Sequence, residues 1–314
     1  MKITKIMNKN KKLSYNIYII ILLLLLLFIV FFILYNIYFN KYESYNSYNN
    51  YNEYILPKII YTYWDNLESN KLIQSHYNNW KSKIPSDWKL IILNKNNVNN
   101  YVSNNFLNRY NKLDSTRFSD FLRLELLKNN GGVWVDASII IINSNFLDKY
   151  WNEMNKYKYD ATLYEFKSKL IDKNIPYLEN WFIMAPKNSK LIIDLYIEFD
   201  KAYKMGFLQY KQKILIPSNV VLDNTLGYYN KIYLMQHAIM NYLFHIGNKY
   251  NVNIKDAQES MFKIHSLVKW NDIEIINYIM NNQNWNNYYA IKLTKSNRRG
   301  IIFQDTYIDK ISII

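Results

Sequence analysis

The sequence predicts an α/β protein, and three observations lead to this fold class. Short runs rich in β-branched and aromatic residues alternate with longer stretches of helical periodicity. Half of the 314 residues are hydrophobic and 17% are aromatic, which excludes wholesale disorder and allows a sizeable core. We find no internal repeat at the periods of solenoid proteins. One α/β domain with appendages therefore accounts for the length.

The elements of this domain follow from local signals. A β-rich run after Pro57 predicts the first strand over 57–64, and Pro85 ends a helix predicted over 67–84. Asp114 or Ser115 can cap a helix that Gly131-Gly132 closes. Further strands are predicted over 88–93, 133–135 (resumed at 139–142), 159–165 and 181–185, and further helices within 94–107 and over 189–204, 228–249 and 272–281.

An uncharged apolar segment spans residues 17–39. About 20 such residues cross the hydrocarbon core of a bilayer, and a cleavable signal would have a shorter apolar region and a small-residue cleavage site. Five lysines and no acid precede the segment, whereas only Lys41 and Glu43 follow closely. The positive-inside rule then predicts a single-pass anchor, a cytoplasmic tail over 1–16 and a lumenal or extracytoplasmic domain after the segment.

Residues 40–54 are of low complexity, with tyrosine at every third position from 42 to 54. We interpret them as an extended stem before a domain over 55–314. The net charge is +14, but part of it belongs to the tail and the rest is dispersed, so a nucleic-acid partner is not predicted. The absence of cysteine excludes disulfides, Cys-ligated zinc and thiol catalysis.

The segment 119–138 concentrates the chemistry. Apolar residues surround most of its helix, so this helix is expected to be buried, yet Asp120 and Arg123 share one face. The pair is either a structural salt bridge or a polar face directed into a ligand site. Asp136 follows an apolar strand, at the sheet edge where α/β proteins bind ligands. It either ends the strand in a turn or binds a hard cation that would bridge to phosphate.

This segment, SDFLRLELLKNNGGVWVDAS, resembles the signature of DXD-type sugar transferases, in particular the capsular-polysaccharide-synthesis family, which is similar to glycosyltransferase family 32. The run LPKIIYTYW at 56–64 resembles the first strand of that family, and AIKLT at 290–294 resembles its C-terminal end. The resemblance covers residues 55–295. It implies a GT-A-like fold, with a mixed central sheet flanked by helices, that transfers a sugar from a nucleotide donor.

The resemblance also implies roles for individual residues. Trp64 matches the residue that stacks on the nucleobase. Asp120 and Arg123 match the pair that holds the ribose, sugar hydroxyls and phosphate of the donor, and Asn180 resembles an asparagine near the donor sugar. The implied donor is a UDP- or GDP-sugar, the acceptor is a glycan, polysaccharide or glycoprotein, and the transfer retains anomeric configuration.

The resemblance further implies a divalent metal, Mn²⁺ or Mg²⁺. Asp136 matches the first aspartate of the metal motif, and Ser138 stands where the last aspartate is found in related families. Ligation is then expected through the Ser138 hydroxyl, through water, or through His265 or Glu259 from the C-terminal half. For His265, a plain core or surface histidine is the alternative.

Three other functions stay open on the sequence. Ser138 would suit an inactive relative that serves as a surface carbohydrate-binding or attachment protein. A hydrolase could use Asp120 and Asp136 as paired carboxylates. A membrane-tethered nucleic-acid-binding protein would show a steeply salt-dependent affinity. The sequence contains no P-loop, dinucleotide-binding or α/β-hydrolase motif.

Overall fold

The computed structural model describes residues 53–169, 175–220, 233–299 and 304–314, together with six positions between 25 and 35. The chain divides into two compact units, residues 1–53 and 54–314. The six described positions between 25 and 35 are helical and their side chains are exposed. The predicted tail, most of the predicted anchor and nearly all of the predicted stem lie outside the described residues. Within the described part of the chain, no helix combines the length and the hydrophobicity needed to cross a membrane.

The second unit is built on a mixed six-stranded sheet. The strands of this unit are β1 (Ile59–Tyr63), β2 (Lys89–Leu93), β3 (Gly132–Val135), β4 (Ile139–Ile141), β5 (Ala161–Glu165), β6 (Leu178–Ala185), β7 (Val252–Asp256) and β8 (Ala290–Lys292). The order in the six-stranded sheet is β2-β1-β3-β6-β5-β7. Strand β1 is parallel to β2 and β3, whereas β6 is antiparallel to both β3 and β5, and β7 is parallel to β5. This confirms the predicted α/β class.

Helices cover both faces of this sheet. The helices are α1 (Lys71–Lys83), α2 (Asn104–Tyr110), α3 (Ser115–Asn130), α4 (Asn145–Tyr157), α5 (Lys190–Met205), α6 (Phe207–Tyr210), α7 (Met235–His245), α8 (Lys263–Leu267), α9 (Asp272–Asn281), α10 (Lys295–Arg299) and α11 (Gln304–Ile313). Because successive strand residues point to opposite sides, Tyr61 and Trp134 pack with α3, α5 and α7, whereas Ile60 and Val133 pack with α1 and α4.

The main difference from the predicted elements lies after β3. Residues 139–142 were expected to resume that strand, but β4 leaves the main sheet and pairs antiparallel with β8. The chain turns at Asp136, whose carbonyl accepts a hydrogen bond from Ile139 N at 3.1 Å. Strand β7 was not predicted, because the apolar–polar alternation in its sequence VNIKD extends over only four residues. Of the helix predicted over 228–249, residues 228–232 lie outside the described residues.

The junction of α3 and β3 requires both of its glycines. Gly131 has a φ of +72° and Gly132 a φ of +111°, a region that favours glycine. A Cβ on Gly132 would lie 2.7 Å from the carbonyl oxygen of Ile59, and one on Gly131 would lie 2.5 Å from the backbone nitrogen of Lys187. The helix and the strand therefore meet in one tight geometry, which fixes the direction in which β3 runs toward Asp136.

Candidate functional site

Asp136 lies just past the end of β3, as the sequence predicts. Its backbone nitrogen donates to Trp181 O of the neighbouring strand β6 at 2.9 Å, which holds the turn against the sheet. Its Oδ1 accepts a hydrogen bond from Trp134 Nε1 at 2.9 Å and lies 3.5 Å from Arg123 Nη2. A quarter of the Asp136 side chain remains exposed, at 25%. The carboxylate is therefore oriented by the protein and still accessible to a ligand.

Helix α3 supplies Asp120 and Arg123, both nearly buried, as expected for this helix. Arg123 Nη1 lies 3.1 Å from Asp120 Oδ1, which confirms that the two share a face. Asp120 Oδ2 also pairs with Arg117 Nη1 at 3.0 Å, so two arginines contact one carboxylate. Burial raises the pKa of Asp120, although Arg123 and Arg117 oppose this effect.

Two amide side chains connect these charges. Gln236, on α7, accepts hydrogen bonds at Oε1 from Arg123 Nη1 at 3.0 Å and from Asn180 Nδ2 at 2.7 Å. Its Nε2 donates to the carbonyl oxygen of Asp120 at 2.8 Å. Asn180, on β6, also lies 3.4 Å from Asp120 Oδ1. The structure thus brings the predicted Asn180 to the predicted ion pair, through a glutamine that the sequence analysis did not identify.

Lys292, at the end of β8, is the second residue that the sequence analysis missed. Its Nζ donates to Asp136 Oδ2 at 2.8 Å and to Ser138 Oγ at 2.6 Å. Only 12% of its side chain is exposed. Burial lowers the pKa of Lys292 against the opposing effect of Asp136. For Asp136, burial favours the neutral carboxyl, but Lys292 and Arg123 outweigh it and hold the pKa below the ordinary value.

Trp64 follows β1 and is partly buried, with the Arg298 guanidinium 5.8 Å from its ring centroid. Burial lowers the pKa of Arg298, and the Asp136 carboxylate opposes this effect. Arg298 therefore lies beside Trp64, the predicted nucleobase-stacking residue, and interacts electrostatically with Asp136. We call the group of charges and amides described so far the charged cluster. Its members are Arg117, Asp120, Arg123, Asp136, Ser138, Asn180, Gln236, Lys292 and Arg298.

The predicted metal ligands do not form a ligand set. His265 is fully buried, and its Nε2 lies 2.8 Å from Asn297 Oδ1. Glu259 is exposed. No group of three or more His, Asp or Glu side chains that could hold a metal occurs among the described residues. The oxygens of Asp136 and Ser138 that would face the metal are instead bonded to the Lys292 ammonium.

The described residues of this site therefore do not fit a divalent cation, and we derive no chemical step through one. The expectation that His265 supplies a ligand is corrected for a physical reason. Its Nε2 is engaged within the core, and Phe262 and Trp270 pack against its ring with centroids 4.8 and 5.0 Å away.

The fold and the charged cluster together define an α/β protein with a cation-rich site at the carboxyl end of β3. The sequence model described as capsular polysaccharide synthesis protein matches residues 29–289. The chain belongs to this family, which confirms the resemblance carried by segment 119–138. No curated protein sequence matches the chain.

Solved structures of glycosyltransferases are similar at low identity. The galactosyltransferase LgtC, in complex with donor and acceptor sugar analogues, has a TM-score of 0.43 at 10% identity over 82% of this chain and 96% of its own. The PaToxG glycosyltransferase has a TM-score of 0.33 at 13% identity over 64% of this chain and 94% of its own. An active-site mutant of LgtC has a TM-score of 0.37 at 12% identity over 67% of this chain and 77% of its own. The family assignment rests on the sequence match alone.

Proposed function

We propose that the protein is a glycosyltransferase that moves a sugar from a nucleotide-sugar donor to a glycan, polysaccharide or glycoprotein acceptor. The observation that carries the proposal is the charged cluster, at the motif that the chain shares with its family. Arginine and lysine side chains held at fixed positions suit a diphosphate. They bind it in the ground state, and they stabilise the negative charge that develops on it when the bond to the sugar breaks.

In this transfer, the bond between sugar C1 and the diphosphate oxygen breaks, and its electron pair leaves with the nucleoside diphosphate. A new bond forms between C1 and the acceptor oxygen. For a retaining transfer, which the resemblance implies, the acceptor proton passes to the departing phosphate oxygen. Trp64 would stack on the base, while Asp120, Arg123 and Asn180 would contact the ribose, sugar hydroxyls and phosphate.

A donor panel tests this proposal. The full chain, purified in mild detergent, is offered UDP- and GDP-sugars with and without Mn²⁺, and release of the nucleoside diphosphate is measured beside calorimetric binding. We expect release with one donor class. Binding of neither donors nor nucleoside diphosphates would contradict the proposal, and would favour the carbohydrate-binding alternative if glycans bound instead.

We also propose that residues 17–39 anchor the protein in a membrane with the N-terminus in the cytoplasm. The uncharged apolar run and the five preceding lysines support this topology. Protease treatment tests this topology in sealed vesicles whose outer face is the cytoplasmic face of the membrane. The domain after residue 54 is expected to be protected from the added protease. Cleavage of that domain in such vesicles would contradict the topology.

A further inference from the structure

The family motif would offer oxygens of Asp136 and Ser138 to a metal, but both residues already bond to the Lys292 ammonium. We propose that the Lys292 ammonium is the built-in cation of the diphosphate site and takes the place of a divalent metal. This inference rests on the proposed glycosyltransferase function and deepens it, because it names the group that contacts the phosphate.

The position of the ammonium supports this role. Nζ of Lys292 lies 2.8 Å from Asp136 Oδ2 and 2.6 Å from Ser138 Oγ. A divalent ion held by the same two oxygens would lie next to this ammonium, and like charges a few ångströms apart repel strongly at a site with little water. A metal and the observed Lys292 geometry therefore exclude each other.

The backbone also holds Lys292 beside these oxygens. Strand β8 pairs with β4 so that Lys292 lies opposite Ile139, directly after the turn that carries Asp136 and Ser138. The next residue, Leu293, donates its N–H to the carbonyl oxygen of Ser138 at 3.0 Å. Both sides of the ammonium site thus belong to one hydrogen-bonded unit, which keeps the Lys292 backbone within reach of both oxygens.

The balance of charge supports the same role. Four cations of the charged cluster, Arg117, Arg123, Lys292 and Arg298, accompany two carboxylates, those of Asp120 and Asp136. This formal excess of positive charge within the cluster favours an anion such as the diphosphate of a nucleotide sugar. A divalent metal would increase the excess.

The remaining hydrogen-bond donor of Lys292 also supports this role. An ammonium carries three N–H donors. Two of those on Lys292 point to Asp136 and Ser138, and the third has no acceptor among the described residues. This donor can bind a phosphate oxygen of the donor sugar. When the C1–O bond breaks, the electron pair moves to the diphosphate, and the ammonium stabilises it as a metal would.

Calorimetry of nucleotide binding to the full chain in detergent tests the inference. UDP and GDP are titrated in EDTA and in Mn²⁺, and free Mn²⁺ is followed separately by electron paramagnetic resonance. We expect one nucleotide to bind in EDTA within about threefold of its affinity in Mn²⁺, and we expect the protein not to deplete the free Mn²⁺ signal. This comparison needs no variant.

The matched variants are Lys292→Met and, three residues later on the exposed side of α10, Lys295→Met. Loss of a charge-assisted hydrogen bond predicts at least about tenfold weaker nucleotide binding for Lys292→Met and no change for Lys295→Met. Lys292→Arg, which keeps the charge, should recover part of the loss.

Two results would overturn the inference. Nucleotide binding that requires Mn²⁺, with Mn²⁺ depletion that Asp136→Asn abolishes, would show a metal site and leave the proposed function intact. Absence of nucleotide binding in both EDTA and Mn²⁺ would remove the proposed function and this inference with it.

Discussion

Two polar clusters draw on the same short stretch, residues 290–299, and they differ in charge and exposure. Lys292 and Arg298 belong to the charged cluster. Thr294 and Asn297 instead belong to a second group, which we call the closed cluster and which also contains His265, Asp272 and Ser296. In it the Asn297 amide donates to Asp272 at 2.5 Å and accepts from Thr294 N at 2.9 Å and from His265 Nε2 at 2.8 Å.

The comparison shows how buried polar groups with a structural role differ from those that bind a ligand. In the closed cluster, Asn297 and His265 are fully buried, and the amide is satisfied by protein groups alone. In the charged cluster, cations outnumber carboxylates, and Asp136 keeps 25% of its side chain exposed. Because an uncompensated charge is costly to bury, an excess of one sign beside an exposed carboxylate indicates that a charged ligand completes the site.

The largest expected difference between the clusters comes from replacing one aspartate of each cluster with asparagine. Asp136→Asn should lower turnover at least about 100-fold, because Lys292 and Arg123 lose the charge that orients them for the diphosphate. Asp272→Asn should leave turnover within about twofold and lower the free energy of unfolding by about 1–3 kcal/mol, because Ser296 and Asn297 lose a charged acceptor.

Release of nucleoside diphosphate and urea unfolding measure these two effects. Equal losses of turnover in the two variants would show that Asp136 is as structural as Asp272. Unchanged stability of Asp272→Asn would show instead that the closed cluster does not support the fold.

Much of this site could be predicted from the sequence, because its first half is local. Asp120 and Arg123 are three residues apart on a helix, and helical geometry alone places them on one face. Asp114 accepts hydrogen bonds from the backbone nitrogens of Thr116 and Arg117, as the predicted cap requires. The adjacent glycines indicated a tight junction, and a Cβ on either one would overlap the backbone.

The second half of the site depends on pairing between distant segments, which a single sequence does not specify. Lys292 reaches Asp136 only because β8 pairs with β4, across more than 150 residues. A signal was present, since Lys292 interrupts an apolar run inside the motif AIKLT. Gln236 gave no such signal. For His265, residue type suggested a metal ligand, whereas its actual partner, Asn297, depends on how α8 and α10 pack.

The amides at the centre of each cluster give a second, smaller contrast. Gln236→Leu should weaken nucleotide binding about tenfold, because Arg123 and Asn180 lose their shared acceptor. Asn297→Leu should leave nucleotide binding within about twofold while lowering the free energy of unfolding by about 2–4 kcal/mol. Calorimetry and urea unfolding distinguish the two. Weaker binding in Asn297→Leu would show that the closed cluster positions Arg298 and is coupled to the site.

The smallest expected effect is a loss of stability as the pH falls. It tests whether His76, which lies beneath the turn carrying Asp136, is neutral in the folded protein. His76 is fully buried beneath this turn. Its Nδ1 lies 3.0 Å from Ala137 O, which can only accept, so Nδ1 carries the proton and Nε2 accepts from Tyr307 Oη at 2.8 Å. Burial lowers the pKa of His76 to about 4. Protonation would place a positive charge in this buried site, where the Arg298 and Lys292 charges also oppose it.

In the unfolded chain the pKa of His76 is about 6.5, so between pH 6.5 and 4 the unfolded state binds a proton that the folded state does not. Stability is therefore lost as the pH falls through this window, by about 1 kcal/mol for this residue between pH 6.5 and 5.5. His76→Gln should remove that part of the pH dependence, whereas the exposed His245→Gln should not. Urea unfolding of the three proteins at the two pH values measures it. An identical pH dependence in all three would mean that His76 takes up its proton equally in the folded and unfolded protein, so that burial does not lower its pKa and the turn bearing Asp136 and Ser138 does not require a neutral base.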